Sequence, residues 1–120
     1  MKAGRDIRER TFAFAVRIVK LCHHLDGSPG VARTLGWQLL RSGTSVGANV
    51  EEAQAGQSKA DFISKYAIAL KEARETRYWI RLLAASETVP EARLADLESE
   101  LEEIMRVLAA IIVSAKRNRR

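Results

Sequence analysis

From Leu94 to Ala115 the apolar residues fall in steps of three and four without a miss: Leu94, Leu97, Leu101, Ile104, Leu108, Ile111 and Ala115. Only a helix brings residues at that spacing back to one side, so the segment reads as an α-helix with a continuous apolar edge. Such an edge is the seam of a packed bundle or coiled coil, and it requires other helices to cover it.

The rest of the chain supplies them. Phe14, Ile18, Leu21 and Leu25 share one helical face, and Phe12, Val16 and Val19 form a second stripe beside it, giving an apolar surface wider than a lone surface helix needs. Asp26–Gly30 reads as a turn: Gly27 suits the left-handed conformation that stops a helix, and Ser28 followed by Pro29 reads as an N-cap with proline at the first helical position. The segment 29–55 holds Gly36, Gly43 and Gly47, each of which costs roughly 1 kcal/mol against alanine inside a helix. Gly43 and Gly47 are four residues apart and share a face, so another helix can approach closely there. A break near residue 43 is the competing reading. Ser58-Lys59-Ala60-Asp61 has the form of a helix start. The third helix then carries a core series of Phe62, Tyr66, Leu70, Ala73, Ile80 and Leu83, with bulk from Tyr78 and Trp79. Thr88-Val89-Pro90 marks the last turn. No stretch shows strand alternation. The prediction is one all-α domain over residues 1–120, an antiparallel up-and-down four-helix bundle with helices at about 6–24, 29–55, 59–86 and 90–115 and a basic tail at 116–120.

Charge is distributed unevenly. Residues 1–86 hold 14 Lys/Arg and 8 Asp/Glu, residues 87–105 one Arg and 7 acids, and residues 106–120 five basic residues and no acid. A basic body and tail around an acidic segment favour a polyanionic partner, with solubility alone as the plainer explanation. The single cysteine, Cys22, has no partner for an internal disulfide, which points to a reducing compartment. The opening MKAGRDIRER carries charges where a secretory leader has an apolar run. The longest apolar stretch, Val107–Val113, is seven residues long, against the ~20 of a spanning helix. The expected setting is cytoplasmic, with no membrane role.

Reactive constellations are missing from the sequence. His23 and His24 are adjacent, so they point about 100° apart on a helix, and neither lies three residues after an acid as in bundle di-iron sites. Cys22 beside His23 is not a nucleophile–base pair, since sequence neighbours on a helix do not face each other. The glycines of the second helix lack the Gly-Lys-Ser/Thr of a phosphate loop. No cofactor, no metal and no enzymatic activity are expected. Trp37 and Trp79 are suited to stacking on bases, or to packing and a subunit interface.

Ser45-Val46-Gly47-Ala48-Asn49-Val50-Glu51-Glu52 resembles the Ser-Ile-x-x-Asn-Ile-x-Glu signature of the four-helix bundle proteins encoded by intervening sequences in bacterial 23S ribosomal RNA genes. The resemblance continues through Ser58-Lys59-Ala60-Asp61-Phe62 and Leu70–Thr76 to Trp79, and covers about residues 11–115, with Ala53 standing where many members have glycine. It implies a bundle that assembles into a homopentameric ring. It also implies kinship with the accessory proteins of diversity-generating retroelements, which are basic rings that bind a reverse transcriptase and nucleic acid. Asn49, Glu52, Glu72 and Glu75 map to polar positions of the second and third helices, suited to buried hydrogen bonds within or between subunits. With Trp37, Gly43, Gly47 and Trp79 they form the expected structural and oligomer-interface set.

Two functional readings follow. In the first, the chain is an oligomeric scaffold that binds RNA or DNA or assists a reverse transcriptase. Lys116, Arg117, Arg119 and Arg120 are then the foremost phosphate contacts, followed by Arg74, Arg77 and Arg81. In the second, it is a structural oligomer that binds another protein, and its charge serves solubility.

Overall fold

A computed structural model describes residues 2–118, with side chains from Ile7 onward. Four helices account for nearly all of it: α1 (Lys2–Asp26), α2 (Val31–Gln54), α3 (Lys59–Ala85) and α4 (Glu91–Arg117). No strand occurs among the described residues. Connections this short force each helix to run back along its predecessor. The helices stand in a square: α1 packs on α2 and α4, α3 packs on α2 and α4, and the diagonal pairs stay apart. The side formed by α1 and α2 therefore lies opposite the side formed by α3 and α4. The bundle measures 51 × 22 × 19 Å.

The α4 seam is buried from Leu94 through Leu97, Leu101 and Ile104 to Leu108, while Ile111 and Ala115 are half-buried at the far end. Facing it, α1 buries Ile7, Phe14, Ile18, Cys22 and Leu25. Each fully buried Leu, Ile or Phe contributes about 1.5–3 kcal/mol relative to leaving it in water. Along α3 the buried positions are Ile63, Tyr66, Ala69, Ala73, Thr76, Ile80 and Leu83, and this corrects the expected face. Phe62 and Leu70 sit at its border, half-buried. The small Ala69 and Thr76 take the centre, where size was misleading: α2 comes close, and the Thr76 hydroxyl donates to Glu72 O at 2.7 Å and so enters the core satisfied.

The second helix is continuous through its glycines, which all meet α1. A Cβ at Gly36 would stand 3.3 Å from Leu25 Cβ, one at Gly43 2.9 Å from Cγ1 and Cγ2 of Ile18, and one at Gly47 3.2 Å from Thr11 O. The small-residue face is thus taken up by a helix of the same chain. Hydroxyls within it turn back on their own backbone, Ser42 to Gln38 O and Thr44 to Leu40 O, so no polar group is stranded in the contact.

Helix ends separate cleanly into those governed by side chains and those governed by backbone. Ser58 caps α3 as expected, its hydroxyl accepting from Asp61 N at 3.0 Å. Ser28 does not cap α2: the helix starts two residues later, after Gly30 at φ 96°, with no side-chain cap. Gly30, not Gly27, holds the left-handed conformation, because Ser28 N is already bonded back to Leu25 O and continues the turn that closes α1. At the end of α3, Glu87 adopts φ 60°, with Glu87 N on Ala84 O and Thr88 N on Leu83 O. This is a Schellman ending with glutamate in the usual glycine position. The helix α4 runs through Lys116 and Arg117 rather than stopping at residue 115.

Gly43→Ala tests the α1–α2 contact. Helix propensity favours alanine by about 1 kcal/mol, whereas driving a methyl into Ile18 costs about 1–3 kcal/mol. Overpacking should win, with a lowered urea midpoint. Combining it with Ile18→Val should recover part of the loss, a coupling that a double-mutant cycle reads directly. A Gly43→Ala protein as stable as the parent would refute the close approach.

Candidate nucleic-acid interface

The outward side of α3 is set by the same three-and-four spacing that buries its other side. Ser64, Ala67, Lys71, Arg74, Tyr78, Arg81 and Ala85 form one row, and every one of them is exposed. The row carries three cations and an aromatic ring, and no acid. Lys71, Arg74 and Arg81 make no close ion pair among the described residues, and Arg74 and Arg81 face solvent. Tyr78 is 59% exposed and stands between the two arginines.

Its ring is braced from beneath. Tyr78 and Trp79 pack in a T shape, with ring centroids 5.1 Å apart and planes at 77°. The Trp79 indole Nε1–H donates to Glu75 Oε2 at 3.0 Å, and the same carboxylate pairs with Arg41 of α2. Arg41 Nη1 also lies 3.6 Å from Glu72 Oε1, a charge contact without a hydrogen bond on that buried oxygen. The Trp79 bond, then the Arg41 bond and charge, with Lys71 adding a smaller pull, hold the Glu75 carboxyl below its usual range against the opposing cost of burial. Glu72, Glu75 and Trp79 thus form one link between α2 and α3.

The other expected phosphate contacts are placed elsewhere. Arg77 is turned away from the row into the α3–α4 seam, where its Nε is 3.8 Å from Glu102 Oε2. Lys116 and Arg117 are exposed in the last turn of α4. That turn lies near the start of α3, beside a groove shared with Lys59 and Phe62. Arg81 is 22 positions further along α3 than Lys59, or roughly 33 Å at the helical rise. Arg74 and Arg81 therefore do not share a patch with the α4 terminus within one chain. Arg119 and Arg120 lie outside the described residues. Part of the acidic segment is spent on neighbours, through Arg10–Glu100 at 2.8 Å and Arg77–Glu102.

Of the expected interface set, Gly43 and Gly47 face α1 inside the chain, and Asn49 donates to Ser45 O and Oγ one turn back. Glu52 reaches Lys65 of α3 at 3.8 Å. Trp37 is 65% exposed, near Val19, at the mouth of a cleft of about 190 Å³ that it lines with Cys22, His23 and Arg33. Burial pushes the Cys22 thiol up to about 11, so it stays protonated and unreactive at neutral pH. Phe12, 70% exposed, and Val16 continue the apolar surface down α1. Two ion pairs bound it, Arg33–Asp26 at 3.4 Å and Arg8–Glu51 at 3.1 Å. Across the bundle, Phe62, Tyr66, Val107, Ala110, Ile111 and Ala115 line a groove of about 580 Å³ between α3 and α4. Among the described residues no three His, Cys, Asp or Glu converge on a point a metal ion would occupy, and no helix is long and apolar enough to cross a membrane. Tyr78, expected to add bulk to the core of the third helix, is instead exposed; its three-and-four register with Lys71, Arg74 and Arg81 was the available signal.

Comparison with known proteins agrees with this architecture. The model of the 23S rRNA-intervening sequence protein family matches residues 5–110. A crystal structure of a protein of unknown function from the S23 ribosomal protein family of Bacteroides thetaiotaomicron is similar at 41% identity and a TM-score of 0.86, over 92% of this chain and 97% of that one. No curated protein matches the chain.

The Glu75 link predicts an acid transition in fluorescence. A carboxyl depressed in the folded state contributes stability above its unfolded value and loses it as pH falls through the folded one. In a Trp37→Phe background, Trp79 emission should therefore titrate with a midpoint below that of an ordinary glutamate, about 4.3. Glu75→Gln, which keeps the acceptor but not the proton site, should abolish the step. A midpoint at or above the ordinary value would contradict the bond.

Proposed function

Because the chain belongs to the 23S rRNA-intervening sequence protein family, we propose that it is a non-enzymatic homo-oligomeric scaffold, a pentameric ring, that binds RNA or DNA. The observation that carries the nucleic-acid reading is the acid-free row on α3, where Lys71, Arg74 and Arg81 are exposed and make no close ion pair among the described residues. Unpaired surface cations next to phosphates release counterions, which gives affinity without sequence preference. Lys116 and Arg117 form a second contact region about 30 Å away along the bundle. Repetition around a ring multiplies both regions and converts weak contacts into avidity. A reverse transcriptase is the protein partner that the kinship with retroelement accessory proteins suggests.

Two apolar surfaces on opposite sides of the bundle support ring assembly. The α1–α2 surface carries Phe12, Val16, Val19 and Trp37, with ion pairs at its two ends. The α3–α4 groove offers an apolar counterpart. Contact between unlike surfaces is heterologous, and a heterologous contact closes into a ring when its rotation permits. The fivefold number rests on the family resemblance. The second reading, a scaffold for another protein, is favoured by the same α1–α2 surface being left uncovered.

Two experiments separate these readings. Affinity for a structured RNA, followed by anisotropy, should fall steeply between about 50 and 200 mM salt. Arg74→Ala and Arg81→Ala should each lower the salt slope by about one per subunit engaged. An absence of salt-sensitive binding at the low end would end the nucleic-acid reading. Light scattering should give a mass several times that of the chain, and Phe12→Glu with Trp37→Glu should reduce it to a monomer of unchanged helicity. A monomeric parent protein would end the ring.

A further inference from the structure

We infer that the α3 row is a single-strand site, in which Tyr78 is a platform for an unpaired base and Arg74 and Arg81 hold the flanking phosphates. The inference deepens the nucleic-acid reading above and rests on it. Cations alone do not distinguish duplex from single strand, because both present a phosphate backbone. An exposed aromatic ring does. Its face is used only by a base whose own face is free, and paired bases inside a helix have none to offer.

Three features mark Tyr78 as a platform rather than an incidental surface residue. First, its register: it follows Arg74 by four positions and precedes Arg81 by three, so the guanidinium-bearing residues bracket it within about 10 Å of helix rise. Second, its support: the ring packs in a T-shaped pair with Trp79, whose indole N–H is tied to Glu75, which is tied in turn to Arg41 of α2. A ring packed on an anchored neighbour loses less freedom when a base covers it than a free one does. Third, its surroundings: the row around it holds no acid to repel a phosphate. Trp37, the exposed aromatic of α2, lacks this setting. It sits among apolar residues, and the nearby Arg33 is spent on Asp26.

The test compares fluorescein-labelled oligodeoxythymidylate and oligouridylate of about ten nucleotides with a blunt-ended stem of two annealed strands that pairs every base, all at low salt. The parent protein should bind both single strands more tightly than the stem. Tyr78→Leu should weaken single-strand binding roughly tenfold and leave stem binding unchanged. Tyr78→Phe, which keeps the ring, should restore the parent affinity, and circular dichroism should show all three proteins equally helical. Quenching of Trp79 emission by the bound single strand, lost in Tyr78→Leu, would place the base at the ring. Equal affinity of Tyr78→Leu and the parent for the single strands, or tighter binding of the stem, overturns the single-strand site while leaving the nucleic-acid reading intact. Failure of every probe to bind overturns both.

Discussion

The contact on which the bundle depends is that between α1 and the glycine face of α2. With Gly36, Gly43 and Gly47 in line, α2 puts no side chain of its own into the contact, and Leu25, Ile18 and Thr11 come down almost onto its main chain. The consequence reaches beyond the core. Seating Thr11 and Ile18 against glycine fixes the rotation of α1, and the next residue in each case, Phe12 and Val19, is turned about 100° toward the outside. The apolar surface on α1 is therefore a product of the same geometry that tightens the core. It does not collapse inward, because the space it would fill is already closed.

That coupling explains which parts of the fold the sequence disclosed. The α4 seam was legible because large apolar residues repeat at a spacing only a helix serves, and its middle is buried as the spacing requires. The Ser58 cap was legible because a side chain makes it. The start of α2 was not, since a backbone turn with glycine at φ 96° does the work that Ser28 and Pro29 seemed suited to. The core face of α3 was misread for a related reason. Ranking residues by size selects Phe62 and Leu70, whereas the bundle interior takes Ala69 and Thr76. Two helices that approach closely reward small side chains, and a periodicity built on bulk does not register them.

Charge shows the same limit in another form. Counted along the chain, residues 87–105 are an acidic block between basic ones. In the fold, Glu100 reaches Arg10 and Glu102 reaches Arg77, so part of the block serves as mortar between α4 and its two neighbours. Arg74, Arg77 and Arg81 lie close in sequence, yet the middle one is rotated into the seam while the outer two face water with Tyr78 between them. Arg77 marks the difference between a basic segment and a basic surface: three positions along a helix take a cation from open solvent to a carboxylate.

The acidities of the perturbed groups bear on what such a surface can do. Burial raises the Cys22 thiol to about 11 and raises the Tyr66 hydroxyl, while hydrogen bonds and cations lower Glu75 and Glu103. Every one of these shifts carries its group further from neutrality. A catalytic acid or base needs the reverse, a value drawn toward the working pH so that the proton can move both ways. Here the perturbing contacts hold each group in one protonation state, with carboxylates fixed as acceptors and the thiol fixed as a donor to Gly36 O. Glu75 serves as an example: ionised, it keeps Trp79 and Arg41 in register, and through Trp79 it keeps the ring of Tyr78 in place. Of these groups, Glu75 is the one whose bonds reach the exposed row of α3, through Trp79.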